Sequence, residues 1–313
     1  MAENYCGKTC ETCNMKESVL EECFRVLKEG GEIYFDHTLE DIEITDSEIS
    51  RIKVNGEWLI CDDLLLGIGH SARDTYRMIV GHNVACEPKN FAVGVRIEHT
   101  QDFVNHCQYG QYAKYLAPAS YRLTHTTSTG RGVYTFCMCP GGEVIMATSE
   151  EGHVVTNGMS YHARDGKNAN CALAVSVLRS DYGNDPMAAI EFQRAIEKKA
   201  YLAAGGNYSA PMQTVGDFFG GKVGTKYSAV VPTYMDGYVT PCDLNKILPD
   251  FVTRLLKTGI ARFERNIKGA LANGIKVGVY FYSQAIDEPE AVEEAQWVVD
   301  VISKYQITYP VVF

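Results

Sequence analysis

The chain has 313 residues, 46% of them hydrophobic and 22% charged, with a formal net charge of −10. That length allows one large or two ordinary domains with a substantial core, and the acidic balance argues against a nucleic-acid partner, which would ask for a basic patch. No run of 18 apolar residues occurs, so no transmembrane helix or membrane partner is expected. The opening ten residues, MAENYCGKTC, lack the apolar stretch of a signal peptide. Eleven cysteines, an odd number, sit in a chain too large to need covalent staples, so free thiols in a reducing cytoplasm are the expectation.

Within the first 23 residues, Cys6, Cys10, Cys13 and Cys23 have spacings at which thiolates converge on zinc or an iron–sulfur cluster, or they belong to an unliganded tail. Short strand-like runs follow at 32–35 (EIYF), 42–45 (IEIT), 51–54 (RIKV) and 57–60 (EWLI). Asp46-Ser47 and Asn55-Gly56 separate them, and Asn-Gly between two such runs signals a hairpin. Leu64-Leu65-Leu66 reads as a buried strand that breaks at Gly67-Ile68-Gly69 and passes into residues able to open a helix. In a doubly wound sheet ligands bind at the carboxyl end of such a strand. Backbone N–H groups of Gly67, Gly69, His70 and Ser71 can meet ligand oxygens there, and Arg73 can meet a phosphate or carboxylate; equally, Ser71 can be a helix N-cap with Asp74 in the first turn.

Residues 91–99 alternate like a strand, placing Arg96 and Glu98 on one face, either as a substrate carboxylate clamp or as a structural ion pair. Residues 132–136 form another strand, ending at Cys137-Met138-Cys139. Residues two apart share a face, so the thiols are either a redox pair or two small hydrophobes side by side. A polar, turn-rich block runs through Asn157, Gly158 and His162 to Asn168 and Asn170, with a binding-loop or a plain turn role, and the lone His162 fits a structural role better than a catalytic one. The acidic runs Ser149-Glu150-Glu151 and Asp287-Glu288-Pro289-Glu290 read as solvated turns or helix starts. A helix is predicted over 186–204, with Ala189, Phe192, Ile196 and Ala200 as its apolar stripe. The C-terminus reads strand (276–282), helix (288–304), strand (309–313).

Five phrases in order carry a family resemblance: Gly67-Ile68-Gly69-His70-Ser71-Ala72-Arg73-Asp74-Thr75, residues 91–99 (FAVGVRIEH), residues 130–142 (GRGVYTFCMCPGG), residues 155–161 (VTNGMSY) and Val215-Gly216-Asp217-Phe218. Over about 24–260 the chain resembles uncharacterised FAD-dependent oxidoreductases. The resemblance implies FAD as cofactor, with Gly67, Gly69, His70, Ser71 and Arg73 approaching it. It also implies a small-molecule substrate met by Arg96, Arg131 and Asn157, with Cys137, Cys139 and His99 as catalytic candidates. No Gly-x-Gly-x-x-Gly follows an apolar strand here, so the first nucleotide-binding half of such a flavoprotein is expected to be missing; the partners expected are a second copy in a homo-oligomer or a partner chain that supplies that half. The phrase 274–285 (GIKVGVYFYSQA) with 309–313 (YPVVF) resembles family 25 glycoside hydrolases, lysozyme-like muramidases, without the acidic pair such hydrolysis needs. The expected organisation is therefore a Cys-rich segment (1–23), a partial FAD-binding layer (24–90), a substrate-type domain (91–260) and a βαβ tail (261–313). The whole reads as a chimeric or truncated chain. The fold class expected is α/β, mixed α+β, with a β-meander in the nucleotide layer and a β-rich substrate domain. The leading function is an FAD-dependent oxidoreductase of unknown substrate. The alternatives are a non-catalytic remnant or interaction protein and a muramidase fragment.

Overall fold

The computed structural model of the chain describes residues 24–224 and 230–272. The N-terminal cysteines Cys6, Cys10, Cys13 and Cys23 and the strand–helix–strand expected over 276–313 lie outside them. The fold is mixed α+β, and the chain divides into two compact units: Met1–Lys89 with Arg179–Gln193, and Asn90–Leu178 with Arg194–Phe313. None of the described helices is long and apolar enough to cross a membrane.

The first unit contains a three-stranded antiparallel meander, β1 (Leu39–Thr45), β2 (Glu48–Val54) and β3 (Glu57–Ile60). Both of its turns carry positive φ at two successive residues, Asp46 (52°) and Ser47 (69°), then Asn55 (47°) and Gly56 (87°). Paired positive φ is the signature of the turn whose twist matches that of two antiparallel strands. Asn55 suits this position because its side chain is also used: Oδ1 accepts from Thr38 N at 2.9 Å and Nδ2 donates to Asp36 O at 2.9 Å. The strand expected at 32–35 does not form, and Phe35 is exposed. Nor does the buried strand expected at Leu64-Leu65-Leu66 form; Leu65 is 97% exposed. A fully apolar strand is stable only when neighbours pair both edges and cover both faces, and the first unit's described sheet is a closed run of three strands with no ladder reaching these leucines. Helix α1 (Arg73–Gly81) follows the Gly67-Ile68-Gly69 turn.

The second unit is built on a four-stranded antiparallel sheet in the order β4-β9-β6-β5: β4 (Phe91–Thr100), β5 (Thr124–Thr126), β6 (Gly132–Cys139) and β9 (Asn168–Val177). Helix α2 (Gln101–Tyr109) leaves β4 through Thr100, whose hydroxyl caps the helix by accepting from Phe103 N at 3.3 Å. A separate ribbon, β7 (Gly142–Met146) and β8 (Thr156–Ser160), packs over β6 and β9. Helix α3 (Ala188–Ala203) starts two residues later than its apolar stripe suggests, because Asp185 holds Met187 N and Ala188 N in a turn first. A short parallel pair, β10 (Ala210–Met212) and β11 (Val239–Pro241), precedes the long helix α4 (Asp250–Ala272). Residue 261, where the tail was expected to begin, lies inside α4.

Strand alternation sorts β9 into two faces. Leu173 and Val175, with Val93, Val95 and Ile97 of β4 and Val133 of β6, meet Val252, Leu256 and Phe263 of α4 in the main core. Each fully buried aliphatic side chain there contributes roughly 1.5–3 kcal/mol. Ser176, Ala174, Ala172, Asn170 and Asn168 point to the opposite face. Leu256→Ala should therefore lower the second unit's stability by about 2–5 kcal/mol, read from its urea-unfolding midpoint, while Leu65→Ala should change it by less than about 0.5 kcal/mol.

Candidate functional site

The opposite face of the sheet gathers polar groups at one end. Arg96 on β4 stands across from Ala172 of β9. On β6 the register slips between the pairs Phe136↔Ala172 and Cys139↔Asn170, so Cys137 and Met138 together oppose Cys171 alone. This is a β-bulge, a device that re-aims side chains near functional sites. Cys137 takes φ of 50° within it, a left-handed conformation that costs a non-glycine residue about 1–3 kcal/mol unless its surroundings impose it. Simple alternation placed the two thiols in one environment; the bulge gives them different ones. Cys137 is exposed, Cys139 is buried, and Met138 turns the other way against the cluster of Val104, Ala119 and Ala169.

The guanidinium of Arg96 ties this end together. Its Nη1 donates to the Cys137 carbonyl at 2.9 Å, which pins the bulge. Its Nη2 lies 3.7 Å from Cys137 Sγ and 3.6 Å from Cys139 Sγ, and donates to Asn157 Oδ1 at 3.3 Å. Burial pushes the Cys139 thiol up from its ordinary range, and the Arg96 charge pulls it partly back. Glu98 does not pair with Arg96, although the two share a face. Its carboxylate is taken by three donors close at hand: Thr233 Oγ1 at 2.6 Å, Thr233 N at 3.2 Å and Asn168 Nδ2 at 3.1 Å. Among the described residues Arg96 therefore has no carboxylate within ion-pair distance.

One polar group beside it, and one nitrogen of its own, are orphaned. Asn170 is 0% exposed, and among the described residues neither its Oδ1 nor its Nδ2 has a hydrogen-bond partner; buried Nε of Arg96 lacks one too. An unsatisfied buried polar group costs about 1–3 kcal/mol, so a native chain that keeps several in one place asks for an explanation. Gly158 of β8 closes over this cluster: a Cβ there would sit 2.1 Å from both Arg96 Nη2 and Asn170 Oδ1. Asn157, Arg96, Cys137 and Cys139, chosen separately from the sequence, thus meet in one place. Asn170 was visible only as part of a polar block. The signal that could have found it is a pair of amides, Asn168 and Asn170, opening a strand that continues with mostly small and aliphatic residues.

His99 and Arg131 lie elsewhere. His99 pairs across from Ala169, on the α4 face of the sheet. Its Nε2 is 2.7 Å from the Tyr121 hydroxyl, which is 3.0 Å from Cys171 Sγ, and the Phe103 ring stacks on it at 5.9 Å. Burial pushes the Tyr121 phenol well above its ordinary range and the Cys171 thiol up to about 11. Both groups therefore stay protonated, and the thiol, the phenol and the imidazole form one hydrogen-bonded row. Arg131 precedes β6 at the end remote from Cys137, about 20 Å along the strand. Its Nη1 donates to Ser176 O at 3.0 Å and its guanidinium lies over Phe251 at 4.9 Å.

The remaining candidates belong to the first unit. Gly69 has φ of 71° and, like Gly67, has nothing within 4 Å of a would-be Cβ, so the turn can admit a ligand against its backbone. Tyr76 OH donates to Gly69 O at 3.2 Å and steadies the turn. Ser71 is not the N-cap; Ala72 is, and its methyl offers no acceptor to the first N–H groups of α1, while the Ser71 hydroxyl lies 3.1 Å from His70 Nε2. With the Arg73 N–H taken by Ser71 O, the N–H groups of Asp74 and Thr75 are the ones left at the helix start, where an anion is favoured. Arg73 is buried, with its backbone N donating to Ser71 O at 2.8 Å. Among the described residues no group of three or more His, Cys, Asp or Glu side chains is placed to hold a metal.

Residues 90–279 match the family described as FAD-dependent protein, C-terminal domain-like. The chain belongs to this family of FAD-dependent proteins. It is also 47% identical over 268 residues to an uncharacterized protein of Clostridium beijerinckii, an alignment covering 84% of this chain and 50% of that protein. The chain spans about half the length of the curated relative it matches. The family's description names its members as dependent on FAD, and the Gly67-Ile68-Gly69 turn lies outside the matched residues.

The His99 environment generates a pH prediction. Burial lowers its folded-state pKa below the unfolded value near 6.5, so the unfolded chain binds the extra proton first on acidification. The contribution of the neutral ring is complete above about pH 6.5 and is lost as pH falls through the folded pKa. Thermal midpoints of His99→Gln, measured from pH 7.5 to 5, should show a shallower acid decline than those of the parent.

Proposed function

We propose that this chain is the substrate-side portion of an FAD-dependent oxidoreductase working in the cytoplasm, and that Arg96, Asn157 and Asn170 hold an anionic group of its small-molecule substrate. The observation that carries this reading is a guanidinium with no carboxylate partner, beside a wholly buried amide with no hydrogen-bond partner, among the described residues. Such a pair supplies a charge and both a donor and an acceptor to a carboxylate or similar group. Bound FAD would carry the electrons. The turn at Gly67, Gly69, His70 and Ser71 would approach it through backbone N–H groups, and buried Arg73 would hold that turn from behind. Arg131, with its existing bonds to β9, would fix the far end of the sheet.

Neither the leucines before the glycine turn nor any Gly-x-Gly-x-x-Gly in the sequence supplies the grip on a dinucleotide pyrophosphate. That half of the site is proposed to come from another segment of a longer polypeptide or from a partner chain, and Leu64-Leu65-Leu66 would become a buried strand when it is present. The reading as a non-catalytic interaction protein predicts instead that no small ligand settles at Arg96.

The test uses two probes. With a panel of acetate, pyruvate and benzoate, at least one should raise the thermal midpoint of the parent chain and leave that of Arg96→Gln unmoved. Added FAD should bind weakly in equilibrium dialysis, with about tenfold weaker binding for Gly69→Val, since a branched side chain is strained at that φ. Equal carboxylate responses in parent and variant would remove the substrate assignment. Flavin binding indifferent to Gly69 would remove the cofactor assignment.

A further inference from the structure

We infer that Cys137 and Cys139 form a redox-active dithiol that exchanges with external disulfides, Cys137 attacking and Cys139 resolving, with Arg96 as the residue that positions both sulfurs. The inference rests on the site proposed above for its location, and it needs neither flavin nor substrate to operate.

Three observations point this way. First, one nitrogen, Arg96 Nη2, is within 3.7 Å of Cys137 Sγ and 3.6 Å of Cys139 Sγ. Two sulfurs that meet the same guanidinium nitrogen are neighbours, although an undistorted strand would not have given one of them to solvent and the other to the interior. Second, the two differ in access in the way an exchange reaction requires: Cys137 is exposed to an incoming disulfide, and Cys139 is buried behind it, with Sγ 3.5 Å from the Cys137 carbonyl. Third, Cys137 occupies a left-handed backbone position inside a bulge, where its carbonyl is held by Arg96 Nη1. Two cysteines serving only as small core hydrophobes would need neither the bulge nor the exposure.

The chemistry balances without a metal or cofactor. The Cys137 thiolate attacks one sulfur of an external disulfide, whose S–S bond breaks and releases one thiolate. Cys139 then gives its proton to that departing thiolate or to water and attacks Cys137 Sγ. The mixed disulfide breaks, a second external thiolate leaves, and the Cys137–Cys139 bond forms. The pair has lost two electrons and the external disulfide has become two thiols. A disulfide closed across a single intervening residue is strained and readily reduced, so closure runs when external disulfide is in excess and reverses when thiols are, which suits turnover and not stapling. Cys171 stays out of the cycle because it faces the other side of the sheet and is bonded to Tyr121.

Residues 132–164 form one tryptic peptide, ending at Arg164, in which Cys137 and Cys139 are the cysteines. The folded, reduced chain is exposed to oxidised glutathione, alkylated with iodoacetamide and read by mass spectrometry on that peptide. The expected result is loss of both alkylation sites together and a mass lower by two hydrogens, with no retained glutathione. Cys139→Ser should stop at a glutathione adduct on Cys137. Arg96→Gln should slow closure about tenfold, and Arg96→Lys should recover part of the rate, because the charged donor is retained without the second hydrogen bond. Closure at the parent rate in Arg96→Gln would overturn the positioning role. Two free thiols in the parent peptide after glutathione has labelled exposed Cys107, or an adduct on Cys137 that Cys139 never resolves, would overturn the dithiol assignment. A chain that completes this cycle yet shows no carboxylate response overturns only the substrate reading, and the reverse pattern overturns only the dithiol.

Discussion

The second unit depends on one strand having a neighbour on each edge. β9 is the last of its four strands in sequence and lies inside the sheet, between β4 and β6. Its backbone N–H and C=O groups are satisfied on both edges, and nearly all of its side chains are buried. An inner antiparallel strand cannot shift by one residue without exchanging its faces. The apolar requirement of α4 on one face therefore fixes which residues stand on the other. Leu173 and Val175 are held against Val252 and Leu256, and Asn170, Ala172 and Ala174 are consequently committed to the side where Arg96 lies.

That commitment is what makes the polar end of the sheet. Ala172 and Ala174 are too small to cover Arg96, so its guanidinium is free to reach β6 and β8 instead. Two local exceptions to regular geometry then complete the cluster. The bulge in β6 brings a carbonyl and two sulfurs to the guanidinium, and Gly158 removes the side chain that would otherwise occupy the space of Arg96 Nη2 and Asn170 Oδ1. The same strand separates this chemistry from the His99–Tyr121–Cys171 row behind it. Three titratable groups there are held neutral by burial and bonded to one another. Their role is to satisfy a buried layer, while the Arg96 side keeps donors and acceptors unspent.

Much of the fold was legible as local pattern. Asn55-Gly56 and Asp46-Ser47 are turns because of what those residues allow at positive φ, and that needs no tertiary partner. The strand at β4, the strand leading to Cys137 and the apolar stripe of α3 are equally local signals. The candidate site was legible as a set of residues: Arg96, Cys137, Cys139 and Asn157 were each marked by their chemistry. Their meeting was not, because it depends on the pairing of β4, β6 and β9 and on the packing of β8 over them. Leu64-Leu65-Leu66 shows the opposite failure. Its composition is that of a buried strand, yet a buried strand is a property of the sheet that receives it, and none among the described residues does so.

By itself the amino-acid sequence determined the antiparallel hairpins of the first unit, the alternation of β4, β6 and β9, and membership of a flavoprotein family through a handful of ordered phrases. All of these rest on backbone preferences and short-range periodicity, which act within a few residues. Tertiary structure alone decided that Glu98 would turn from Arg96 to Thr233, that the two thiols would lie in different surroundings beside one guanidinium, and that Asn170 would be buried without a partner. Those outcomes turn on which donor or acceptor comes within about 3 Å, and distances on that scale between residues tens of positions apart are set by packing.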